Sequence, residues 1–496
     1  MESGRNLLFL NRVYPPAEGA TGELLRDLAA ALAKDGWQVT VVTGKAGKRG
    51  ISNIQHRASH TENRERAGDP LVQNSKCNVR SKSGVGNQAE PAEDERGIRV
   101  ERVRGLPFTR ANHLKRAFSY FSLYPALFWR ALRIPLADRP VSGRTQSSSS
   151  QGSPMTDKGI IITLTDPPLL LVLGPFLKWF KKCKLIHWAQ DIYPEVAEEL
   201  GVTNKGGFLA RLLRRLSTWA LRRQDLIIVV GRCMQQRLLQ RGVDPGKIVV
   251  IPNWAQAGNR ESKGEAPEFR STGAGTMASA QGKILTQALV EKGLEPVLAA
   301  GENFRRQHGL TARFVVMYSG NFGLAHPFGA IVSAIGCFEK KVPQILFVFI
   351  GSGPRLSWLT EQLKDRANVR FFPFQPKEKL GESLAAADLH LASMNENLCG
   401  LVVPSKIYGI LAAERPCVFI GPKESEAAQI LTEFECGTVV ASSDHAGLIS
   451  AIGEYASNAD RLRQARANTR NAMNDFASAL GAFKKALQLK PPLSKN

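Results

Sequence analysis

Phe314-Val315-Val316-Met317-Tyr318-Ser319-Gly320-Asn321-Phe322-Gly323 is an apolar run that ends in two glycines around a polar residue. Ile345-Leu346-Phe347-Val348-Phe349-Ile350-Gly351-Ser352-Gly353-Pro354-Arg355 repeats the arrangement. Short apolar runs bounded by turn residues read as strands buried on both faces. Glycines bracketing Asn321, and again at Gly351 and Gly353, permit close backbone approach to a ligand; an ordinary tight turn has the same composition. Arg355 either reaches an anion there or faces solvent. Working outward, similar runs follow at 369–372, 388–391 and 417–420, with helical stretches between them. The first half carries its own series at 7–10, 39–42, 159–164, 184–187, 226–230 and 248–251. Alternating strands and helices predict parallel sheets covered by helices on both sides.

At 496 residues the chain exceeds what one hydrophobic core supports, about 250–300 residues. Two doubly wound α/β domains are therefore expected, 1–253 and 254–474. Such domains bind ligands outside the carboxyl ends of their strands, so two facing each other make an interdomain cleft. Three segments read as insertions, at about 44–96, 142–158 (with Ser147 to Ser150) and 255–282. They hold too little apolar content to offset the entropy of ordering them, and flexible loops are expected.

Composition removes several classes. With 43% hydrophobic and 22% charged residues the chain is neither fibrous nor disordered in bulk. Seven scattered cysteines include no CxxC pair, which argues against a disulfide framework or zinc ribbon and for a reducing compartment. The longest apolar stretch, 159–180, is broken by Asp166-Pro167-Pro168, Gly174-Pro175 and Lys178, short of the about 20 residues a membrane span needs. No cationic segment followed by an apolar leader opens the sequence. Cytosol is the expected location.

The formal charge is +22, and its excess lies in the first half. Residues 103–135 carry six basic side chains and no acid, among them Arg130 and Arg133. Lys178, Lys181, Lys182 and Lys184 surround Phe180, and 205–223 adds Arg211, Arg214, Arg215, Arg222 and Arg223. These bases interleave with Phe121, Phe128, Trp129, Leu209, Leu212, Leu216 and Trp219. A helix with an aromatic face and a basic flank suits an anionic membrane surface. Phosphate backbones attract the same charges, but no nucleic-acid motif accompanies them, so no nucleic-acid partner is expected. Outer helices with buried apolar faces and solvated basic faces give the same pattern.

Three further motifs offer chemistry. Gly19-Ala20-Thr21 follows the first strand and opens a helix, where small residues let backbone N–H groups approach a phosphate; any strand–loop–helix turn also needs small residues. His187-Trp188-Ala189-Gln190-Asp191-Ile192-Tyr193-Pro194-Glu195 leaves a strand end. Asp191 there is an acid/base candidate, and capping of the next helix by Asp191 or Glu195 is the competing reading. Val403-Pro404-Ser405-Lys406-Ile407-Tyr408 places Pro404 at a helix start. Lys406 near that helix's N-terminus opposes the dipole unless an anion binds there or the side chain turns to solvent.

The order of these pieces resembles the family-4 retaining glycosyltransferases of GT-B architecture, and within them the bacterial WbuB-like and colanic-acid-type enzymes of surface polysaccharides. The resemblance is carried by Tyr14-Pro15-Pro16 with Gly19-Ala20-Thr21, by Trp37-Gln38-Val39-Thr40-Val41-Val42-Thr43 and by Gln190-Asp191-Ile192-Tyr193-Pro194-Glu195. Ile251-Pro252-Asn253-Trp254, Tyr318-Ser319-Gly320-Asn321 and Pro404-Ser405-Lys406 leading to Leu411-Ala412-Ala413-Glu414-Arg415-Pro416 complete it. It covers nearly the whole chain outside the insertions.

The resemblance implies transfer of a hexosyl or N-acetylhexosaminyl unit from a nucleotide-diphosphate-sugar, with retention at the anomeric carbon. The acceptor would be a polyprenyl-linked sugar, reached by a cytoplasmic enzyme peripheral on the inner face of the plasma membrane. Gly351, Gly353, Asn321 and Arg355 would border the donor, Ser405 and Lys406 would hold its diphosphate, and Gly19 and Ala20 would approach from the first domain. Asp191 would lie near the acceptor hydroxyl or the reacting sugar. No metal and no cofactor is expected, because protein cations and helix N-termini stabilise the leaving phosphate. The last helix, within 475–496, would return to the first domain.

The chain departs from the family's pattern in places. Many members carry two glutamates with seven residues between them before an Ala-x-Gly-x-Pro turn; here Leu401 and Gly409 occupy those positions and Glu414 replaces the turn glycine. Asn321 and His326 stand where an Arg/Lys pair is common. Lys406 is the expected substitute charge and Glu426 the expected ribose contact. A nucleotide-sugar epimerase of the same fold, or a catalytically silent nucleotide-sugar-binding protein, remains as an alternative.

Overall fold

The computed structural model describes residues 6–17, 19–45, 92–94, 97–106, 113–136, 159–254 and 295–489. Two sheets form. The first holds β1 (Asn6–Leu10), β2 (Gln38–Gly44), β3 (Ala92–Asp94), β4 (Ile98–Val103), β5 (Ile160–Thr163), β6 (Lys184–Ala189), β7 (Leu226–Val229) and β8 (Ile248–Val250). Their order is β3-β4-β2-β1-β5-β6-β7-β8, and every pairing is parallel except that of β3 with β4. The second sheet is wholly parallel and holds β9 (Phe314–Asn321), β10 (Ile345–Ser352), β11 (Val369–Phe372), β12 (Leu389–Ser393), β13 (Cys417–Ile420) and β14 (Gly437–Val440). Its order is β11-β10-β9-β12-β13-β14. Two doubly wound Rossmann-like α/β domains result, as the alternation of strands and helices predicts.

The reason is visible in burial. The side chains of Leu7, Leu8, Phe9 and Leu10 in β1, and of Val315, Val316, Met317 and Tyr318 in β9, are all buried, alternate residues facing opposite helical layers. The helix Ala20–Lys34 buries Leu24, Leu25, Leu28 and Leu32 on one stripe, each contributing about 2 kcal/mol. It stops at Asp35-Gly36, where Gly36 takes a φ of 84°.

Three strands depart from the expected set. β3 falls inside the segment 44–96 that reads as a loop; its three residues pair as a short antiparallel edge on β4. β4, Ile98-Arg99-Val100-Glu101-Arg102-Val103, mixes apolar with charged residues, and each of its faces has one half-buried arginine, Arg102 or Arg99, beside two buried residues. Glu101 is nevertheless buried and is held by Arg99 and Arg130. β14 is only four residues long. The expected insertions 142–158 and 255–282, and most of 44–96, lie outside the described residues.

The lobes join over one continuous apolar cluster that runs from Phe9 and Trp188 to Tyr408 and Phe476. After the long helix Ala459–Ala477 the helix Ala479–Gln488 lies against the first domain. Phe483 meets Trp188 at 4.8 Å, Lys484 pairs with Asp35 at 2.6 Å, and Lys184 Nζ donates to the Leu487 carbonyl at 2.9 Å.

Candidate active site

Each sheet reverses its winding direction beside its first strand: β1 has β2 on one side and β5 on the other, and β9 lies between β10 and β12. In open α/β sheets the carboxyl ends of the strands at such reversals are where ligands bind. Asn321 ends β9, Lys406 packs against Tyr318 of β9, and Gly19 and Ala20 follow β1. By contrast, Gly351 lies at the end of β10, Gly353 and Arg355 follow it, Asp191 follows β6 and Glu426 follows β13.

In the second lobe Lys406 opens the helix Lys406–Ala412. Its Nζ donates to the Tyr318 hydroxyl at 2.5 Å and lies 3.8 Å from the Tyr318 ring centroid. Gly320 sits just beyond, where a Cβ would stand 3.9 Å from Nζ. No salt bridge to Lys406 forms among the described residues. Loss of hydration holds its ammonium down to about 7, with the neighbouring Cys417 opposing. His326, also at this switch point, donates from Nδ1 to the Ser393 carbonyl at 2.5 Å. Burial, then the Lys406 charge, hold His326 down to about 3, so it stays neutral. Ser405 is exposed and its hydroxyl makes no capping bond. The helix behind it has only seven residues, so the Lys406 side chain, rather than a long macrodipole, supplies the positive charge here.

The glycines serve the strands first. A Cβ on Gly351 would lie 1.9 Å from the Gly320 carbonyl oxygen, its pairing partner across β9 and β10. One on Gly353 would lie 2.6 Å from both Asn321 Oδ1 and the Phe322 carbonyl oxygen. The close approach that these positions require is thus between backbones. Asn321 is exposed beside them, and Arg355, also exposed, lies over the Trp358 ring at 5.9 Å from its centroid.

In the first lobe Gly19 precedes the helix Ala20–Lys34 with no side-chain cap; both Gly19 and Ala20 are exposed, with backbone N–H groups at the helix start. Val13 packs so close that a Cβ on Gly19 would lie 2.9 Å from Val13 Cγ1. Asp191 follows β6. Its backbone N–H and that of Gln190 point at Thr165 Oγ1, at 3.4 and 2.8 Å. Burial, with the Asp166 charge adding, pushes the Asp191 carboxyl up to about 7. Neither Asp191 nor Glu195 caps the helix Glu195–Glu199; Pro194 stands at its start, and Glu195 pairs with Arg214 and Arg241. The capping alternative therefore does not describe Asp191.

The two lobes touch beside these groups. Asp191 and Val402 form an isolated antiparallel bridge, and the Ile192 N–H donates to the Leu401 carbonyl at 2.8 Å. Glu426 spans the same junction. Its Oε2 accepts from the Arg232 backbone N–H at 2.6 Å, and Oε1 pairs with Arg232 Nε at 3.2 Å. A Cβ on Gly231 would lie 3.0 Å from Glu426 Cβ and Val403 Cγ2, so the lobes meet here without spare room.

Two groups escaped the sequence reading. Arg12, after β1, grips Asp166 in a two-pronged pair with both contacts at 2.7 Å, across 154 positions of chain. Gln190 and Asn253 exchange amide bonds at 3.0 and 2.8 Å beneath Asp191. Among the described residues no group of three or more His, Cys, Asp or Glu side chains is placed to hold a metal ion.

Two doubly wound lobes of this topology define the GT-B class. Residues 19–254 match the family described as Glycosyl transferase 4-like domain, and residues 301–472 match Glycosyl transferases group 1. The two matches together span most of the chain and support a GT-B glycosyltransferase of family 4. It is 27% identical over 297 residues to the probable glycosyltransferase WbjE of Pseudomonas aeruginosa, covering 60% of this chain and 65% of that protein. Over 280 residues it is 22% identical to WcaI of Escherichia coli (strain K12), whose name assigns it to colanic acid biosynthesis; 56% of this chain and 60% of that protein are covered. The chain thus spans less than two thirds of the length of these curated relatives. Its fold is shared with Anabaena HepE, solved with UDP-glucose, at a TM-score of 0.58 and 13% identity over 97% of this chain and 99% of that one.

Proposed function

We propose that the protein is a retaining glycosyltransferase that moves a hexosyl or N-acetylhexosaminyl unit from a nucleotide-diphosphate-sugar to a lipid-linked glycan acceptor in cell-surface polysaccharide biosynthesis. The observation that carries this reading is Lys406: a basic side chain without a carboxylate partner among the described residues, at the β9–β12 switch point, packed against Tyr318 and flanked by the exposed Ser405. The bond between the anomeric carbon and the diphosphate oxygen breaks, the acceptor oxygen bonds that carbon in its place and its proton leaves with the diphosphate, while the negative charge on the departing oxygen is met by the Lys406 ammonium and a hydrogen bond from the Ser405 hydroxyl. Asn321 and Arg355 border the donor. Gly19 and Ala20 present backbone N–H groups from the opposite lobe. Asp191, with its carboxyl near neutrality, orients the acceptor hydroxyl.

The names of WbjE and WcaI, and the UDP-glucose bound by HepE, support the donor class. Glu426, committed to Arg232, serves as a tether between lobes in this reading rather than as the ribose contact. A lipid-linked acceptor brings the enzyme to the cytoplasmic leaflet, in keeping with the basic, aromatic first half. No helix among the described residues is long and apolar enough to cross a membrane.

The test is incubation with a panel of nucleotide sugars, alone and with polyprenyl-diphosphate-linked sugars, followed by determination of the new linkage. Transfer with an unchanged anomeric configuration supports the proposal. Conversion of the donor without acceptor identifies an epimerase, and donor binding without transfer identifies a silent binding protein.

A further inference from the structure

The helix Phe208–Arg222 is built against the usual rule. Its buried positions are Ala210, Ser217, Ala220 and Leu221, whereas Phe208 is 77% exposed, Leu209 58%, Leu212 50% and Leu216 38%. A helix at a protein surface ordinarily turns its large apolar side chains inward. Here they form an outward stripe, since positions 208, 212 and 216 recur every fourth residue. Arg211 and Arg215 run alongside, and the helix holds no acid.

Beside the stripe lies a pocket of roughly 460 Å³ lined by Arg211, Arg214, Arg215, Trp219, Arg222 and Arg223. Arg214 is committed to Glu198 at 2.7 Å, and Arg223 stacks on Trp219 at 4.5 Å from the ring centroid. Arg211 and Arg215 make no salt bridge among the described residues. The surface continues across two more helices. Trp219 meets Phe176 at 5.6 Å, Phe180 meets Trp179 at 4.6 Å, and Phe128 lies 6.3 Å from Phe180 and 5.9 Å from Trp129. Trp179 is 72% and Trp129 58% exposed.

We infer that this face docks on an anionic bilayer, with the Phe208–Leu216 stripe entering the headgroup boundary and the arginine pocket receiving a phospholipid phosphate. The inference rests on the proposed lipid-linked acceptor and adds the surface that meets the lipid. Charge complementarity selects the occupant. A contiguous aliphatic and aromatic stripe rimmed by unpaired arginines matches the apolar–phosphate boundary of a lipid leaflet. A nucleic-acid backbone offers the leucines nothing apolar. The docking helix also reaches the site. Ser217 Oγ donates to the Tyr193 carbonyl at 2.9 Å, and Arg214 holds Glu198, so the helix is anchored to the segment that begins at Asp191.

The experiment is co-sedimentation of the full chain with vesicles of phosphatidylglycerol and phosphatidylcholine in equal parts, and with phosphatidylcholine alone. The parent protein is expected to bind the anionic vesicles at least tenfold more tightly. Arg211→Ser with Arg215→Ser should lose about tenfold or more of that binding. Phe208→Ser with Leu212→Ser should bind at low salt but wash off at high salt, at which the parent is partly retained. All these positions are exposed, and an unchanged thermal midpoint confirms that each variant is folded. Equal binding to both vesicle types, undiminished binding by the arginine variant, or self-association or oligonucleotide retention in place of vesicle binding overturns the inference. Because the readout needs no turnover, vesicle binding by a protein without transferase activity would defeat the proposed function alone. Transfer to a soluble acceptor without vesicle binding would defeat this inference alone.

Discussion

The Lys406 ammonium donates to the Tyr318 hydroxyl at 2.5 Å, 88 positions away in the chain, and has no carboxylate in reach among the described residues. An amine held down to about 7 by burial is close to half neutral at physiological pH. Its neutral form stabilises the fold at pH above the lysine's ordinary 10.5, and that contribution is lost as pH falls through about 7. A bound diphosphate raises the value again. Binding of UDP above neutrality is therefore expected to take up close to one proton, with affinity falling as pH rises from about 7 to about 9. Calorimetry in buffers of different ionisation enthalpy measures this. Lys406→Met should abolish the proton uptake.

Asp191 behaves with the opposite sign. Its carboxyl is raised from 3.8 to about 7, so its protonated form stabilises the fold below the unfolded value and that contribution disappears as pH climbs through about 7. Asp191→Asn keeps the shape without the charge. The variant is expected to melt above the parent at pH 9, to match it near pH 4, and to lose transfer while still binding donor. Thermal scans across pH together with donor titration decide the matter; lost folding at every pH would return Asp191 to a structural role.

The Glu426–Arg232 pair joins the lobes, and its removal is expected to act on both partners alike. In a double-mutant cycle of Glu426→Gln and Arg232→Met, the two residues should couple by about 1 kcal/mol or more in stability. Donor affinity should change by less than about threefold, roughly 0.6 kcal/mol. A large loss of donor affinity confined to Glu426→Gln would instead assign the carboxylate to the nucleotide.

Glu414 occupies a left-handed backbone position, φ 55°, where the family's turn carries glycine. Its carboxylate accepts from Arg470 Nε at 2.9 Å, so the side chain fastens the helix Ala459–Ala477 to the turn. Comparing Glu414→Ala with Glu414→Gly removes that bond in both and isolates the backbone. The alanine variant is expected to be less stable by about 1 kcal/mol, measured by denaturant unfolding.

Much of the fold was legible because parallel strands buried on both faces must be written as unbroken apolar runs. β9 and β10 are such runs, and the expected strands in 314–318 and 345–350 lie within them. β4 was missed because its charged residues broke the run, β3 because two of its three residues are acids, and β14 because Gly437 and Thr438 leave it no unbroken apolar run. At the site, Lys406 stood out as a base at a helix start and Asp191 as an acid after a strand end. The Arg12–Asp166 pair did not. Asp166 reads as part of an Asp-Pro-Pro breaker, and only folding brings β1 and β5 side by side. Likewise nothing in the local pattern of Tyr318, an apolar strand end, announces that its hydroxyl meets a lysine from another loop. The glycines 351 and 353 read as positions of close approach to a ligand; in the fold the groups that approach them are neighbouring protein atoms, chiefly the Gly320 and Phe322 carbonyl oxygens.

The steady-state rate of sugar transfer at saturating donor, parent against Lys406→Ala, tests the central claim most directly. If Lys406 neutralises charge that develops on the leaving diphosphate, turnover falls more than tenfold, the loss of about 1.4 kcal/mol of transition-state stabilisation or more. Unchanged turnover in a folded Lys406→Ala protein would contradict the account and remove the lysine from the reaction.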